Sequence, residues 1–314
     1  MTTHKAEPAK TRRKGLLTPY LFMTPTTVLV VLFFFIPVVL ILLISLTNMT
    51  TATGLKAWHF LGLENYQKIF AHPDAKQIAL ATIFYVSVTL ILFNVGLALL
   101  IAILTTHVPR RAGYLFRALW LLPRLTPVVV YILMWRFIAA ADPYGILNHH
   151  VLVPLFGASG ADLLADAPWV FVILSNGFIG ASFGMLIFTS AIESIPRDYM
   201  NAALVDGAGI WQRVRYLIIP SLKWPLLFVV TYQTLSLLTS FEYILVLTEG
   251  KYGTTVWSLW AYQAALSNYF GNFQYGFGAA LGVLLVLVGI GASVAYMRFF
   301  SFRELVQKPK VENL

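Results

Sequence analysis

Between residues 15 and 55 the chain carries no Asp, Glu, Lys, Arg or His, and inside that stretch residues 21–46 are apolar almost throughout. About 20 consecutive apolar residues carry a helix across ~30 Å of hydrocarbon. Lipid offers the backbone no hydrogen bonds, so such a run pairs its own N–H and C=O groups as a helix. Five more runs of this kind follow: 78–104, 118–138 (interrupted by Pro123 and Pro127), 169–192, 224–248 and 276–297. The expected fold class is all-α, a polytopic membrane protein with six transmembrane helices. Length alone, 314 residues, would suggest two domains at ~150 residues each. The balance of 59% hydrophobic against 11% charged residues overrides that reading. The expected organisation is a basic tail over residues 1–14, a transmembrane domain over 15–300, and a second tail over 301–314. Basic residues ahead of an apolar run can mark a signal peptide. This run is longer than such a peptide's apolar core and lacks a small-residue cleavage site, so it reads as uncleaved; Arg12-Arg13 matches a twin-arginine export signal only weakly.

A net charge of +9 could point to nucleic acid, but the basic residues are scattered between apolar runs, where they act as topology signals. Lys and Arg number five in the N-terminal tail, three in residues 105–117, four in the loop between the fourth and fifth runs, and four in the C-terminal tail. The opposite side holds only Lys56, Lys68, Lys76 and Lys251. By the positive-inside rule both termini and the 193–223 loop are expected on the cytoplasmic side. The absence of cysteine excludes disulfides and cysteine metal sites.

That loop, SIPRDYMNAALVDGAGIWQRVRYLIIPSL over residues 194–222, is a polar insert between two lipid-soluble runs. Ser194 suits a helix cap and Pro196 a first turn. Ala203 and Gly207, four apart, would share one face of the helix. Gly207 and Gly209 break it, and a second helical run over 210–219 carries Arg213 and Arg215 and stops at Pro220. At these residues the sequence resembles the "EAA" coupling loop of ABC-transporter permeases of the carbohydrate-uptake type, such as the maltose and glycerol-phosphate importers. Ile195-Pro196, Ala202-Ala203, Asp206-Gly207-Ala208 and Pro220 fit the family pattern. Asn201 stands where the pattern has glutamate, keeping a shorter hydrogen-bonding side chain and dropping the charge. FLGLENYQKIF in the first outer loop, and FRALWLLPRLTPVVVYILMWRF followed by DPYGILN, also resemble segments of this family.

The resemblance spans about residues 15–300. It implies a type I ABC importer permease fold in a bacterial inner membrane. Its partners would be a second homologous permease subunit, two ATP-binding subunits and an extracytoplasmic solute-binding protein, with lipid around the spans and no nucleic acid. It implies import of a carbohydrate or related polyol or sugar phosphate. Met200, Asn201, Ala202, Ala203, Asp206, Gly207, Ala208 and Pro220 would make the ATPase-coupling element. Arg213 and Arg215 fit contact with an ATPase and with anionic lipid equally well.

No stretch matches G-x-x-x-x-G-K-[ST], the loop that cradles nucleotide phosphates. This chain is therefore expected to bind no cofactor and not to be an enzyme, with ATP and Mg held on the ATPase subunits. A sugar needs hydrogen-bonding groups and aromatic faces. Tyr232, Gln233 and Ser236 share a side of the fifth span, Glu242 and Tyr243 extend that set, and Asn94, Asn176 and Ser182 are further inward candidates. Polar groups of this kind also serve as helix–helix glue. Glu242 fits two roles, a place beside the path or a structural hydrogen bond. Arg124 fits snorkelling to headgroups better than contact with a ligand. His149-His150 lacks a fixed third ligand and is not expected to hold a metal; no nucleophile–base pair or catalytic carboxylate pair is present. The alternative, an ion-gradient-driven secondary transporter or channel, would call for an intramembrane charge relay and internal repeats. Glu242 is the one acidic residue deep in a span, and no repeat is visible.

Overall fold

A computed structural model describes residues 17–157, 162–267 and 272–300, and over these residues the chain is helical with no strand. The two tails expected at 1–14 and 301–314 lie outside the described residues. Four continuous helices are long and apolar enough to cross a bilayer: Tyr20–Ser45, Ala75–His107, Pro168–Glu193 and Tyr275–Phe299. They coincide with the first, second, fourth and sixth expected spans. Two widened π-turns interrupt the regular ladder, Val31–Phe35 in the first span and Thr89–Leu97 in the second. The first sits just ahead of Pro37, whose ring would otherwise clash with the carbonyl four residues back.

The third span is broken, as its prolines led one to expect, and the fifth is broken too, which corrects the single run expected at 224–248. Arg110–Leu125 and Val128–Ala139 meet at 97°. The cause is Pro127, which supplies no N–H and forces the preceding Thr126 into extended backbone at φ −75°, ψ 138°. Val128–Ala139 has only 12 residues, roughly 18 Å of helix, so it cannot cross the hydrocarbon alone. Arg110–Leu125 is instead an amphipathic elbow, tied to the fourth span by Arg117 Nη1 donating to Glu193 Oε1 at 2.8 Å. The fifth span is Lys223–Thr239, followed by an extended Ser240 and a short helix Glu242–Leu247. A further helix, Trp257–Leu266, lies between the fifth and sixth spans, where no apolar run of spanning length occurs.

The first outer loop closes the first span. Asn65 Nδ2 donates to the carbonyls of Ser45 (2.9 Å) and Thr47 (2.8 Å), and the Ser45 and Tyr66 hydroxyls lie 2.8 Å apart. The helix end satisfies the Leu43 and Ile44 carbonyls itself, and Asn65 of the LENY stretch supplies the donor for those of Ser45 and Thr47. Directly opposite, a Cβ on Gly276 would come 2.1 Å from the Thr47 oxygen, so the sixth span seats here only with glycine.

Three apolar clusters form the core, a small one around Ile69, Ala280 and Leu281 and two larger ones. Of the larger two, one centres on Tyr85, Leu90, Ile132, Val172, Leu237 and Ile244, the other on Ala98, Ala181, Phe188, Ile218, Leu222 and Val229. Between the two larger clusters each of the second, fourth and fifth spans places polar residues or glycine among its apolar ones: Asn94, Asn176 with Gly180, and Gln233. That layer is the site.

Candidate functional site

The fourth and second spans meet at unusually short range. A Cβ on Gly180 would lie 2.1 Å from Asn94 Oδ1, and one on Gly184 would lie 2.4 Å from the Asn94 carbonyl oxygen. Small residues let membrane helices approach in this way. The π-turn Thr89–Leu97 carries Asn94 into the contact, with 1% of its surface exposed and Oδ1 lacking a hydrogen-bond partner. Beside it opens a cavity of about 300 Å³, lined by Asn94, Arg124, Asn176, Tyr232, Gln233, Ser236, Ser240 and Tyr243 together with Thr126, Val128, Ile179, Gly180 and Leu237. Six of the eight path candidates read from the sequence therefore line one cavity, and Ser182 and Glu242 do not.

Their polar atoms are partly committed to holding the helices together. Asn176 Nδ2 donates to the Tyr85 hydroxyl and to Ser240 Oγ (3.0 Å). Gln233 Nε2 donates to the Gly180 carbonyl at 2.8 Å. Tyr232 stacks on Phe183 with ring centroids 4.6 Å apart, and 47% of its surface is exposed. An exposed aromatic face next to amides and hydroxyls can cover the C–H surface of a polyol while its hydroxyls are hydrogen-bonded. Glu242 is half-buried, and its Oε2 accepts the Phe241 N–H at 3.1 Å.

Arg124 departs from expectation. The 97° break turns the end of the elbow inward, so Arg124 Nη1 donates to Ser182 Oγ at 3.2 Å and its guanidinium carbon stands 5.8 Å from the Phe183 ring centroid. It lines the cavity instead of reaching for headgroups. Residues the sequence did not flag, Thr126, Gly180 and Ser240, join it; the four-residue spacing of Asn176 and Gly180 and the proline at 127 were the available signals.

The 194–222 loop differs in detail from its sequence reading. Ser194 closes the fourth span, its hydroxyl donating to the Ala191 carbonyl at 2.7 Å. Pro196 is extended (ψ 133°) and precedes the helix Arg197–Val205. Ala203 and Gly207 do not share a helical face, because the helix ends first. Gly207 adopts φ 76°, Ala208 N donates to the Ala203 carbonyl (2.8 Å) and Gly207 N to that of Leu204 (3.0 Å). This is a Schellman ending, and it accounts for the spacing from Ala203 to Gly207-Ala208: glycine supplies the left-handed residue, and the two half-buried alanines close the turn. Gly209 is extended at φ −65°, and its N–H donates to Gln212 Oε1 at 2.8 Å. The chain then stays helical from Ile210 to Ser221, through a π-turn at Val214–Ile218, so Pro220 lies in the last turn and does not stop it.

The helix Arg197–Val205 has no buried residue. Met200 packs, half-buried, on the lower cluster, while Asn201, Ala202, Asp206, Gly207 and Pro220 are exposed. So are Tyr199, Leu204, Val205, Ile210, Trp211 and Tyr216, with Val205 at 88%. Val214, Ile218 and Leu222 anchor the loop beneath. A rigid, capped helix thus presents apolar side chains outward. His149 Nδ1 lies 2.9 Å from Asp142 Oδ1, and no cluster of three metal-ligating side chains occurs among the described residues.

Comparison with known proteins agrees with this arrangement. The chain is 30% identical over 288 residues to "Probable ABC transporter permease protein YesP" of Bacillus subtilis, covering 88% of this chain and 89% of that protein. It is 27% identical to "Trehalose/maltose transport system permease protein MalF" of Thermococcus litoralis over 90% of this chain and 94% of the relative. Its fold matches a permease chain in the crystal structure of a bacterial ABC transporter involved in import of the acidic polysaccharide alginate, with TM-score 0.77 at 19% identity, covering 92% and 96% of the two chains. Residues 94–303, which take in the polar layer, the cavity and the loop, match the family described as binding-protein-dependent transport system inner membrane component, and the chain belongs to that family of multi-pass ABC importer permeases for sugars.

Proposed function

We propose that the chain forms half of the translocation path of an ATP-driven importer for a carbohydrate or a related polyol or sugar phosphate, and that it couples to separate ATPase subunits through residues 194–222. The observation that carries this reading is the 300 Å³ cavity part-way along the spans, where amide, hydroxyl and aromatic side chains from four spans converge between two apolar clusters. Polar groups at that depth are costly unless they serve a path or each other. One of them, Asn94 Oδ1, has no hydrogen-bond partner. Relatives named for trehalose/maltose transport support a carbohydrate as cargo.

The coupling role is supported by the exposed, capped helix Arg197–Val205, tethered at both ends to membrane-spanning helices. Movement of whatever docks on Tyr199, Leu204 and Val205 would tilt the fourth and fifth spans as levers. ATP and Mg would reside on those docked subunits, since this chain has no phosphate-cradling loop. A second permease would complete the cavity on the side where Arg124 and Tyr232 are exposed, and a solute-binding protein would deliver cargo to the outer loops. Both termini and this loop would face the cytoplasm, following the distribution of Lys and Arg.

The test is sugar uptake by the full complex in proteoliposomes, with Val205→Asp compared to the wild type. Uptake that requires ATP, and that Val205→Asp abolishes along with sugar-stimulated hydrolysis in an intact membrane-inserted complex, is the expected result. Uptake that proceeds without ATPase subunits and ignores the substitution would overturn it in favour of an ion-gradient-driven transporter.

A further inference from the structure

Beyond Arg110 and Arg111 at its start, the broken third span carries Arg117, Arg124 and Arg136, and they are treated differently. Arg117, on the elbow, has 8% of its side chain exposed and is neutralised by Glu193 at 2.8 Å. Arg136, at the outer end, lies 3.7 Å from Glu249 and donates to the Val246 carbonyl at 3.0 Å. Arg124, between them, forms no ion pair within the described residues and is the one charged side chain on the cavity lining, where there is no Asp or Glu. A guanidinium presents five N–H donors in a planar fork suited to a carboxylate or phosphate. Only Nη1 has a hydrogen-bond partner, Ser182 Oγ, and that hydroxyl is itself oriented by donating to the Ile179 carbonyl at 2.6 Å. The Phe183 ring, stacked on Tyr232, supports the guanidinium from the other side. The group is thus held in place with its remaining donors facing the cavity.

We propose that the cavity selects an anionic solute, a sugar bearing a carboxylate, sulfonate or phosphate, by seating the anion on Arg124 while the hydroxyls of the lining, Ser236 and Ser240 among them, take those of the sugar and the Tyr232–Phe183 pair covers the ring. This rests on the cavity being the transport path proposed above. An unpaired guanidinium at this depth is expensive to hold in place, and an incoming anion with bidentate geometry repays that cost in a way a neutral sugar cannot. The arrangement therefore discriminates on charge first and on hydroxyl pattern second.

The test uses the assembled transporter in nanodiscs of purely zwitterionic lipid, titrated with matched probes: cellobiouronic acid against cellobiose, and glucose 6-phosphate and glucose 6-sulfonate against glucose. Wild type is expected to bind the charged member of each pair roughly ten- to hundredfold more tightly, the worth of one charge-assisted contact. Arg124→Gln should erase that preference and leave neutral-sugar binding within about threefold, with Arg124→Lys intermediate. Equal affinity for both members in wild type overturns the proposal. If Arg124→Gln then weakens only association with the second permease, Arg124 serves a carboxylate of that subunit. If its sole effect appears when anionic lipid is added to the discs, Arg124 serves a headgroup phosphate. Uptake that is ATP-driven yet indifferent to charge sinks this inference alone, whereas binding of no sugar of either class sinks the transport reading and this inference together.

Discussion

The first and fourth spans are both 26 residues long, and the first is the more hydrophobic of the two, yet none of its most apolar stretch is buried while 56% of the fourth span's is. Between Val28 and Ile44 the first is built of Val, Leu, Ile and Phe apart from Pro37; the fourth interleaves Ser175, Asn176, Gly177, Gly180, Ser182 and Gly184 among its large residues. In water the greasier helix would be the core. In lipid there is no hydrophobic force between helices, so the elements that pack are those with small residues and hydrogen-bonding groups. Greasiness here marks what faces acyl chains or a partner subunit, and modesty of side chain marks the centre.

Substitutions can break this contrast. The largest effect is expected at Gly180→Val, which drives a side chain into Asn94 from a Cβ position already 2.1 Å from its Oδ1. It should cost about 3 kcal/mol or more, typical of severe overpacking, and be visible as loss of monodisperse protein after detergent extraction. A variant with wild-type unfolding behaviour in mixed micelles would mean that the two spans are not in close contact. Glu193→Gln comes next. It strands the nearly buried Arg117 without its carboxylate, whereas Arg117→Gln leaves behind a Glu193 that is 44% exposed and can rehydrate. We expect about 2 kcal/mol for the first and about 1 kcal/mol for the second, below the figure for a fully buried pair because Glu193 is half in solvent. Equal costs for the two would argue against the asymmetry in burial. Phe33→Ala on the first span is expected to be smallest, within about 0.5 kcal/mol for this chain alone, since 76% of Phe33 is exposed. Repeating the measurement with the second permease present sharpens the comparison, because a larger loss there would show which faces of the first span are covered by protein.

Much of this was legible in the sequence. Runs of apolar residues announce spans because lipid tolerates nothing else, and the polar positions Asn94, Asn176, Gln233 and Tyr243 stood out against that background. The proline at 127 was visible, but a proline specifies a break and not its angle, and it is the 97° turn that directs Arg124 into the cavity. Arginine near the end of an apolar run snorkels by default, so composition alone argued against the position it takes. The helix Trp257–Leu266 was hidden for a different reason: its Trp260 packs on His72 and Phe277 and its Tyr262 stacks on Phe241, a tertiary stabilisation that local propensity does not record. Gly207 was readable as a helix stop, whereas the hydrogen bonds of the Schellman ending, and hence the reason for the alanine spacing, required the backbone.

The closure of the first span also has a chronology. Asn65 leaves the ribosome some twenty residues after Ser45, so the carbonyls of Ser45 and Thr47 find their amide donor almost as soon as the first hairpin is translated. Gly276, which must slide over that same Thr47 oxygen, is made only when nearly the whole polypeptide has been synthesised. Biogenesis of this protein is therefore a wait, in which the earliest segment sits prepared and its seat is filled last.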